Sequence, residues 1–520
     1  MRSISLLAFI LGLSLAAFGQ QRKSTHKPAG RSGGGAIVSS SRSQLSQALE
    51  QVQAGRYSDA SMALFNLGRS AAHQKDRPQI KYILGLSLYE MGLYQVAAFQ
   101  FVDVIRSGHP KYSRQAVEKL AEAADILGDD TLLNYTVNRL SVDELPSGMR
   151  DMVHFRLGEV RQRAGDHEKA ISSFSRVSAQ SPFYQQALYH RGLSLLELKK
   201  PDVAIEIFRE LHRLRENTSP TDTNLVAAKL AIARTLYQAK DFDGAIRAYS
   251  EVPRDHVLWH DALFEQSWAM MRAGRFRSAL SNFQSLHSSF YEDFWLPESL
   301  LLRAIVYLYI CKYDEMEKVL QQYERTYGDV AKKISQFQIT AKDSLAYYDE
   351  LARAWNKKNG QKDAKFRIPY IVLREVLEQG DVRRSFNYLR ALSDENKKIK
   401  SDAKLRESAL GRYAAKLLAN RIRNTKIAVG DMLKAHMEDM LADLKDFDEQ
   451  AGLIRYEMIA GKKEVIKSRI SGNFVEKPLD EERPRTFYVQ NGFEYYPFKG
   501  EYWLDEIGNY HYLGRSSCGQ

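Results

Sequence analysis

Residues 84–101 read Leu-Gly-Leu-Ser-Leu-Tyr-Glu-Met-Gly-Leu-Tyr-Gln-Val-Ala-Ala-Phe-Gln-Phe. Centred on Ala97, they hold a small residue at Gly85, a turn-forming glycine at Gly92 and a large apolar residue at Phe101. The same offsets recur around Ala60, Leu133, Ala170, Ala204, Ala245, Ala279 and Met316. With Ala97 included, the intervals are 37, 36, 37, 34, 41, 34 and 37 residues. The small positions are Ala48, Gly85, Ala121, Gly158, Gly192, Ala233, Ser267 and Ala304. The large ones are Leu64, Phe101, Val137, Phe174, Phe208, Tyr249, Phe283 and Leu320. At the turn, glycine fills five of eight positions: Gly55, Gly92, Gly128, Gly165 and Gly274. A period of this length marks units that cannot bury an apolar face alone and must stack.

One unit follows from elementary packing. A small residue on a first helix lets a second helix approach closely. The anchor residue and the large one four positions on share a face of that second helix. Pro110, Pro182 and Pro253 follow second helices and end them. The runs Leu84-Gly85, Gly92, Ala97, Phe101 and Leu157-Gly158, Gly165, Ala170, Phe174, Pro182 resemble the tetratricopeptide repeat family. The third unit (Leu133, Val137) and the eighth (Met316, Leu320) depart from the pattern. The resemblance implies a solenoid whose first helices line a concave groove. Carried over by register, groove positions are Tyr82, Tyr89, Phe155, Tyr189, Arg234, Tyr237, Phe264, Trp268 and Arg272. Aromatics and arginine anchor interfaces, though some of these side chains could instead pack against neighbouring units. The lysine–asparagine carboxylate clamp of cochaperone relatives is missing at the paired positions, which read Tyr82/Leu86, Phe155/Glu159, Tyr189/Leu193, Leu230/Arg234 and Phe264/Trp268.

The chain has 520 residues, more than one compact core ordinarily supports, but a solenoid has no such ceiling. Residues 1–19 read as a secretory signal, with Arg2, the apolar run Leu6–Ala17, and Ala17-Phe18-Gly19 before cleavage. That run is short for a membrane span, and the mature chain is expected to carry no transmembrane segment. Residues 20–43, rich in Ser, Gly and basic residues, read as a disordered tether. No cysteine follows the cleavage point, so lipid anchoring there is not expected. Cys311 and Cys518 could pair in an oxidising compartment or stay free. The net charge of +11 is uneven: +6 over 1–42, about −2 over 43–330, +10 over 331–470 and −3 over 471–520. Given export, this basic stretch suits anionic envelope polymers, lipid headgroups or an acidic protein better than nucleic acid; a solvated helical face is the simpler reading.

Beyond residue 330 the register is lost while helix persists. Leu433, Met437, Met440, Leu444, Phe447, Ala451, Ile454 and Met458 alternate spacings of four and three, a heptad seam. A helical hairpin is expected, turning at Val429-Gly430-Asp431 with a partner helix within 381–426; dimerisation through the seam is the alternative. Residues 487–512 hold ten aromatics: Phe487, Tyr488, Phe493, Tyr495, Tyr496, Phe498, Tyr502, Trp503, Tyr510 and Tyr512. Residues 500–512 read as strand, Gly-Asn turn, strand. A lone hairpin is marginal, so it either docks on the helices or presents an aromatic platform. This segment looks like the carboxyl-terminal tails of exported repeat proteins in gliding and predatory bacteria.

The expected class is therefore all-α: about eight tetratricopeptide-like units over 44–330, a basic helical domain over 331–470, and an aromatic β-hairpin tail over 471–520. No catalytic motif is recognisable. His256 and His260 share a helix face with Asp255 and Asp261 nearby, but zinc needs three or four placed ligands. Asp505-Glu506 beside Trp503 suggests a turn rather than sugar hydrolysis. No cofactor or metal is expected. The reading is a non-enzymatic periplasmic scaffold that binds protein partners in a cell-envelope assembly, with motility implied by the tail; a peptidoglycan-binding module is the alternative.

Overall fold

The computed structural model describes residues 34–137, 147–358, 360, 365–475, 498 and 500–518. The signal segment expected over 1–19 and five of the tail aromatics (Phe487, Tyr488, Phe493, Tyr495 and Tyr496) lie outside them. The described residues are mostly helical up to residue 470, with no strand among them and an isolated bridge at Ser516.

Eight helix pairs follow in order: α1 (Gly34–Gln53) and α2 (Tyr57–Arg69), α3 (Arg77–Glu90) and α4 (Tyr94–Arg106), α5 (Pro110–Leu127) and α6 (Thr131–Val137), α7 (Ser147–Arg163) and α8 (His167–Phe174). Then come α9 (Tyr184–Glu197) and α10 (Pro201–Arg213), α11 (Thr223–Gln238) and α12 (Phe242–Ser250), α13 (Trp259–Arg272) and α14 (Phe276–Leu286), α15 (Pro297–Tyr309) and α16 (Tyr313–Tyr327). Helix α1 already runs through residues 34–43, part of the stretch expected to be a tether. Pro110 opens α5 rather than merely ending α4, because a helix tolerates proline in its first turn.

All eight anchor residues are fully buried, including the two that break the pattern, Leu133 and Met316. At two of the glycines the small position faces the large one directly. A Cβ on Gly85 would stand 2.6 Å from the Phe101 ring, and one on Gly158 would overlap the Phe174 ring. All eight turn positions are left-handed: the five glycines with φ of 66–77°, and Lys199, Lys240 and Cys311 with φ of 57°, 67° and 56°. Backbone geometry therefore keeps the repeat where glycine is missing. A side chain in this region costs about 1–2 kcal/mol, and glycine loses roughly 0.5–1 kcal/mol more chain entropy on folding. Lys240→Gly is thus expected to stabilise by about 0.5–1 kcal/mol; a lower denaturation midpoint would contradict it. Aspartate follows three of these turns, as Asp129, Asp166 and Asp241, and of these Asp166 and Asp241 cap the next helices through Lys169 N at 3.3 Å and Gly244 N at 2.9 Å.

The remaining helices are α17 (Val330–Thr340), α18 (Ser344–Lys358), α19 (Tyr370–Glu378), α20 (Gly380–Ser401), α21 (Ala403–Glu407) and α22 (Ala409–Ile470). The chain forms two compact units: residues 1–198 with 384–424, and residues 199–383 with 425–520.

In the first unit, Tyr388, Leu392, Ile399, Leu405, Leu410, Ala414 and Leu418 join the core of the repeats. Polar groups fix the join at helix ends. Glu395 Oε1 accepts from Gln95 N at 2.7 Å, placing a carboxylate at the start of α4, where free amides and the helix dipole favour it. Lys398 Nζ donates to Gly92 O at 3.2 Å, and Ser58 Oγ to Asp402 at 3.0 Å. Tyr388 Oη donates to Gln95 Oε1 at 2.6 Å, and Arg421 reaches both Tyr388 Oη and Asp129 at 3.0 Å. Burial pushes the Glu395 carboxyl up to about 7 despite the amides that pull it down. The folded state then holds a proton that the unfolded chain releases near 4.5, so this group's contribution falls as pH rises from about 4.5 to about 7. Glu395→Gln is expected to flatten that part of the stability–pH curve; an unchanged slope would count against it.

In the second unit the heptad seam is filled from within. Leu433, Met437, Met440, Leu444, Ala451, Ile454 and Met458 are buried, and Phe447 is half-buried. The helix is held along α16 by Tyr323 Oη to Asp448 at 2.8 Å, Arg455 to Glu324 at 2.9 Å and Lys462 to Asp314 at 3.4 Å. The expected hairpin does not form. Helix α22 passes unbroken through Val429-Gly430-Asp431. The Ser344 carbonyl occupies the place of a Cβ on Gly430, and Ser344 Oγ donates to Asp431. The glycine marks a close approach of α18 and the aspartate receives its first residue, so neither makes a turn.

The expected β-hairpin at 500–512 is also replaced. Leu504–Gly508 form a turn, and the flanking chain lies on α14 and its neighbours. Main-chain groups are satisfied there by side chains: Gly508 N by Ser285 Oγ at 2.8 Å, Tyr512 N by Ser281 Oγ at 3.0 Å, and Tyr512 O by Arg277 at 2.7 Å. Arg254 donates to the carbonyls of Leu504 and Asp505. With those partners, the segment has no need of a ladder with itself. Ile507 is 1% exposed, and Tyr502 Oη accepts from Gln284 at 3.0 Å. Ser517 N donates to Ile310 O at 2.8 Å, and the end of the tail is bonded through Cys518 to Cys311 in the α15–α16 turn.

Candidate protein-binding surfaces

In the first unit, register places Tyr82 and Tyr89 on α3. The Tyr82 ring lies 5.6 Å from Tyr112 and 6.2 Å from Phe101. Tyr89 meets Tyr94 edge-on at 5.0 Å and carries Lys119 Nζ 5.4 Å above its face. Lys119 is paired with Glu122 at 2.7 Å, which holds its ammonium above the usual lysine range. Burial raises both tyrosines. Tyr112, Lys119 and Glu122 were missed in the sequence because they belong to the third unit, whose pattern is weakest.

Phe155 faces no groove. It is 2% exposed, stacked on Phe183 at 5.4 Å and close to Phe174 and His190. Its ring packs in the same interior cluster as Phe174, whose own ring takes the space that glycine at position 158 leaves open. Tyr189 is half-buried against His190, whose imidazole is held below its usual range by burial.

In the second unit Arg234 is engaged structurally: it forks onto Glu265 at 2.7 and 2.8 Å, and Tyr249 Oη donates to the same carboxylate at 3.0 Å. This bidentate pair ties α11 to α13. Tyr237 stands edge-on to Phe242 at 5.5 Å, and the Arg272 guanidinium lies 5.4 Å from that ring. Glu298 is raised chiefly by burial, is hydrogen-bonded by Trp268, and feels Asp443 nearby. Tyr237 feels both Arg272 and Glu298. Tyr237 thus stands in the field of Arg272 and Glu298 while Trp268 bonds that carboxylate; the two rings and the acid are half-buried and Arg272 is exposed. Phe264 is half-buried. The two acids, Glu265 and Glu298, were not read from the sequence, since a lone glutamate on a helix carries no signal until the facing helix is known.

His260 is close to Asp261 at 3.1 Å and packs on Phe294 at 4.3 Å. Among the described residues no three His, Cys, Asp or Glu side chains converge on a metal position. No helix among them is long and apolar enough to cross a membrane.

The family profile for the tetratricopeptide repeat matches residues 155–217. Residues 155–217 thus carry the tetratricopeptide repeat, and the helix pairs on either side keep the same register. A repeat fold of this kind suits a protein–protein interaction scaffold. Similar solved structures include the MamA protein, at 17% identity and a TM-score of 0.31, over 36% of this chain and 96% of that one. Another is a tetratricopeptide repeat protein from Parabacteroides merdae, at 17% identity and 0.26, over 55% and 93%. A Rap protein complexed with competence and sporulation factor aligns at 10% identity and 0.29, over 76% and 99%. Scores this low carry no argument of their own. No curated protein matches this repeat protein in sequence.

Proposed function

We propose that this repeat protein is a non-enzymatic adaptor that holds protein partners on its first-helix faces. The observation that carries this reading is the pairing of half-buried Trp268 and Tyr237 with Glu298 beside the exposed Arg272, residue types that anchor interfaces. A periplasmic or cell-envelope location is part of the proposal. It is supported by the signal-like residues 1–19 and by the Cys311–Cys518 bond, since disulfides persist in oxidising compartments. A motility role rests on the likeness of the tail alone.

A photo-crosslinking residue placed at Trp268 in cells is expected to yield a discrete adduct in the envelope fraction. One at Arg209, exposed on a second helix, is expected to yield none. Equal adduct patterns would overturn the patch. Pelleting with purified cell-wall sacculi, unaffected by Trp268→Ala, would favour the peptidoglycan reading instead. Location is checked by alkylation mass shift: both cysteines should resist modification in wild-type cells and become reactive when residues 1–19 are deleted.

A further inference from the structure

Within residues 452–470 of α22, Leu453, Tyr456, Ile459, Ile466 and Ile470 are 55–82% exposed. The opposite face of the same turns, Ala451, Ile454 and Met458, is buried. The exposed positions Gly452, Tyr456, Ile459, Lys463, Ile466 and Ile470 alternate spacings of four and three without a break. This is a second heptad seam, turned outward. We propose that this seam docks an acidic amphipathic helix from another protein.

The choice of occupant follows from the borders of the seam. One border is Arg455, Lys462 and Arg469, seven residues apart and all cationic; the other is Leu453, Ala460 and Lys467. Lys463 stands inside the seam itself. Heptad flanks and single polar core positions decide which helix pairs with which. A second copy pairs badly: in parallel register Lys462 meets Lys467 and Lys463 meets Lys463, and in antiparallel register the cationic borders face each other. A bilayer fits less well, because the apolar strip is the narrow one of a coiled coil rather than a broad face, with a lysine on its midline. A helix with leucine or isoleucine in its seam, glutamate on its flanks and an acid opposite Lys463 satisfies every position. Arg455 and Lys462 already touch Glu324 and Asp314, yet about a third of each side chain stays exposed. The seam shares no residue with the site around Trp268, so either proposal can fail alone.

The test uses the full chain and a fluorescein-labelled synthetic helix of four heptads, with leucine in the seam, glutamate on the flanks and one core glutamate. Anisotropy titration is expected to show saturable binding, weakened at least tenfold by Ile459→Glu with Ile466→Glu. Because both residues are exposed, the variant should melt like the wild type. Equal binding by the variant, or equal binding of a lysine-flanked peptide, would overturn the proposal. So would sedimentation with phosphatidylglycerol vesicles that the variant loses, which assigns the seam to a membrane. A concentration-dependent dimer that the variant abolishes would assign it to a second copy.

Discussion

Replacing Gly85 by leucine is expected to destabilise the first unit by about 3 kcal/mol, the upper end of what overpacking costs. Even the first added carbon stands 2.6 Å from the Phe101 ring, and both positions are closed to solvent. The sharper form is a double-mutant cycle. Gly85→Ala and Phe101→Leu should each destabilise, the first by a clash and the second by a cavity. Together they recreate the Ala48–Leu64 pair of the first repeat, which is buried in the same core. The double variant is therefore expected to lose at least 0.5 kcal/mol less than the two singles combined, the threshold for coupling between touching residues. Strict additivity in urea melts would show that the small and large positions do not face each other. In a stack where each unit touches only its neighbours, the damage should also stay local in hydrogen exchange.

Opening the Cys311–Cys518 bond is expected to have the largest effect of any single change in the second unit. The bond closes a loop of 207 residues. Loop-closure entropy for a loop of this length corresponds to about 5 kcal/mol, as a chain-entropy limit. The tail it holds buries Ile507 and satisfies its main chain on Ser281, Ser285 and Arg277. Cys518→Ser should thus lower the melting temperature and speed proteolysis after residue 498, while a mild reductant should reproduce both effects in the wild type. A variant that melts with the wild type and keeps its tail protected would show that the docked segment holds without the bond.

How far the repeats were legible can be judged from the turns. Glycine announced five of them, while Lys199, Lys240 and Cys311 adopt the same left-handed backbone without announcing it. The register found them because it counts from the anchors, and those anchors are buried in all eight units. Of the nine groove candidates, Tyr237 and Trp268 share Glu298, Tyr237 also feels Arg272, Arg234 is bound to Glu265, and Phe155 fills the interior. Register tells which helix face a residue occupies. Whether the next helix covers that face depends on tilt and spacing between units.

By itself the sequence determined the helix pairs, their turns and their closed interiors, because each of these depends on residues within about forty positions. Small-against-large packing and left-handed turns are local requirements that a single unit spells out. Only the tertiary structure decided what lies against what at long range. It turned Gly430 from a break into a point of close approach, and it let side chains of α14 complete the tail's main chain in place of a hairpin. It also set Glu395 at the start of α4 across 300 residues of chain. A helix seam or an extended segment states that it needs a partner; which surface supplies one depends on the geometry of the folded chain.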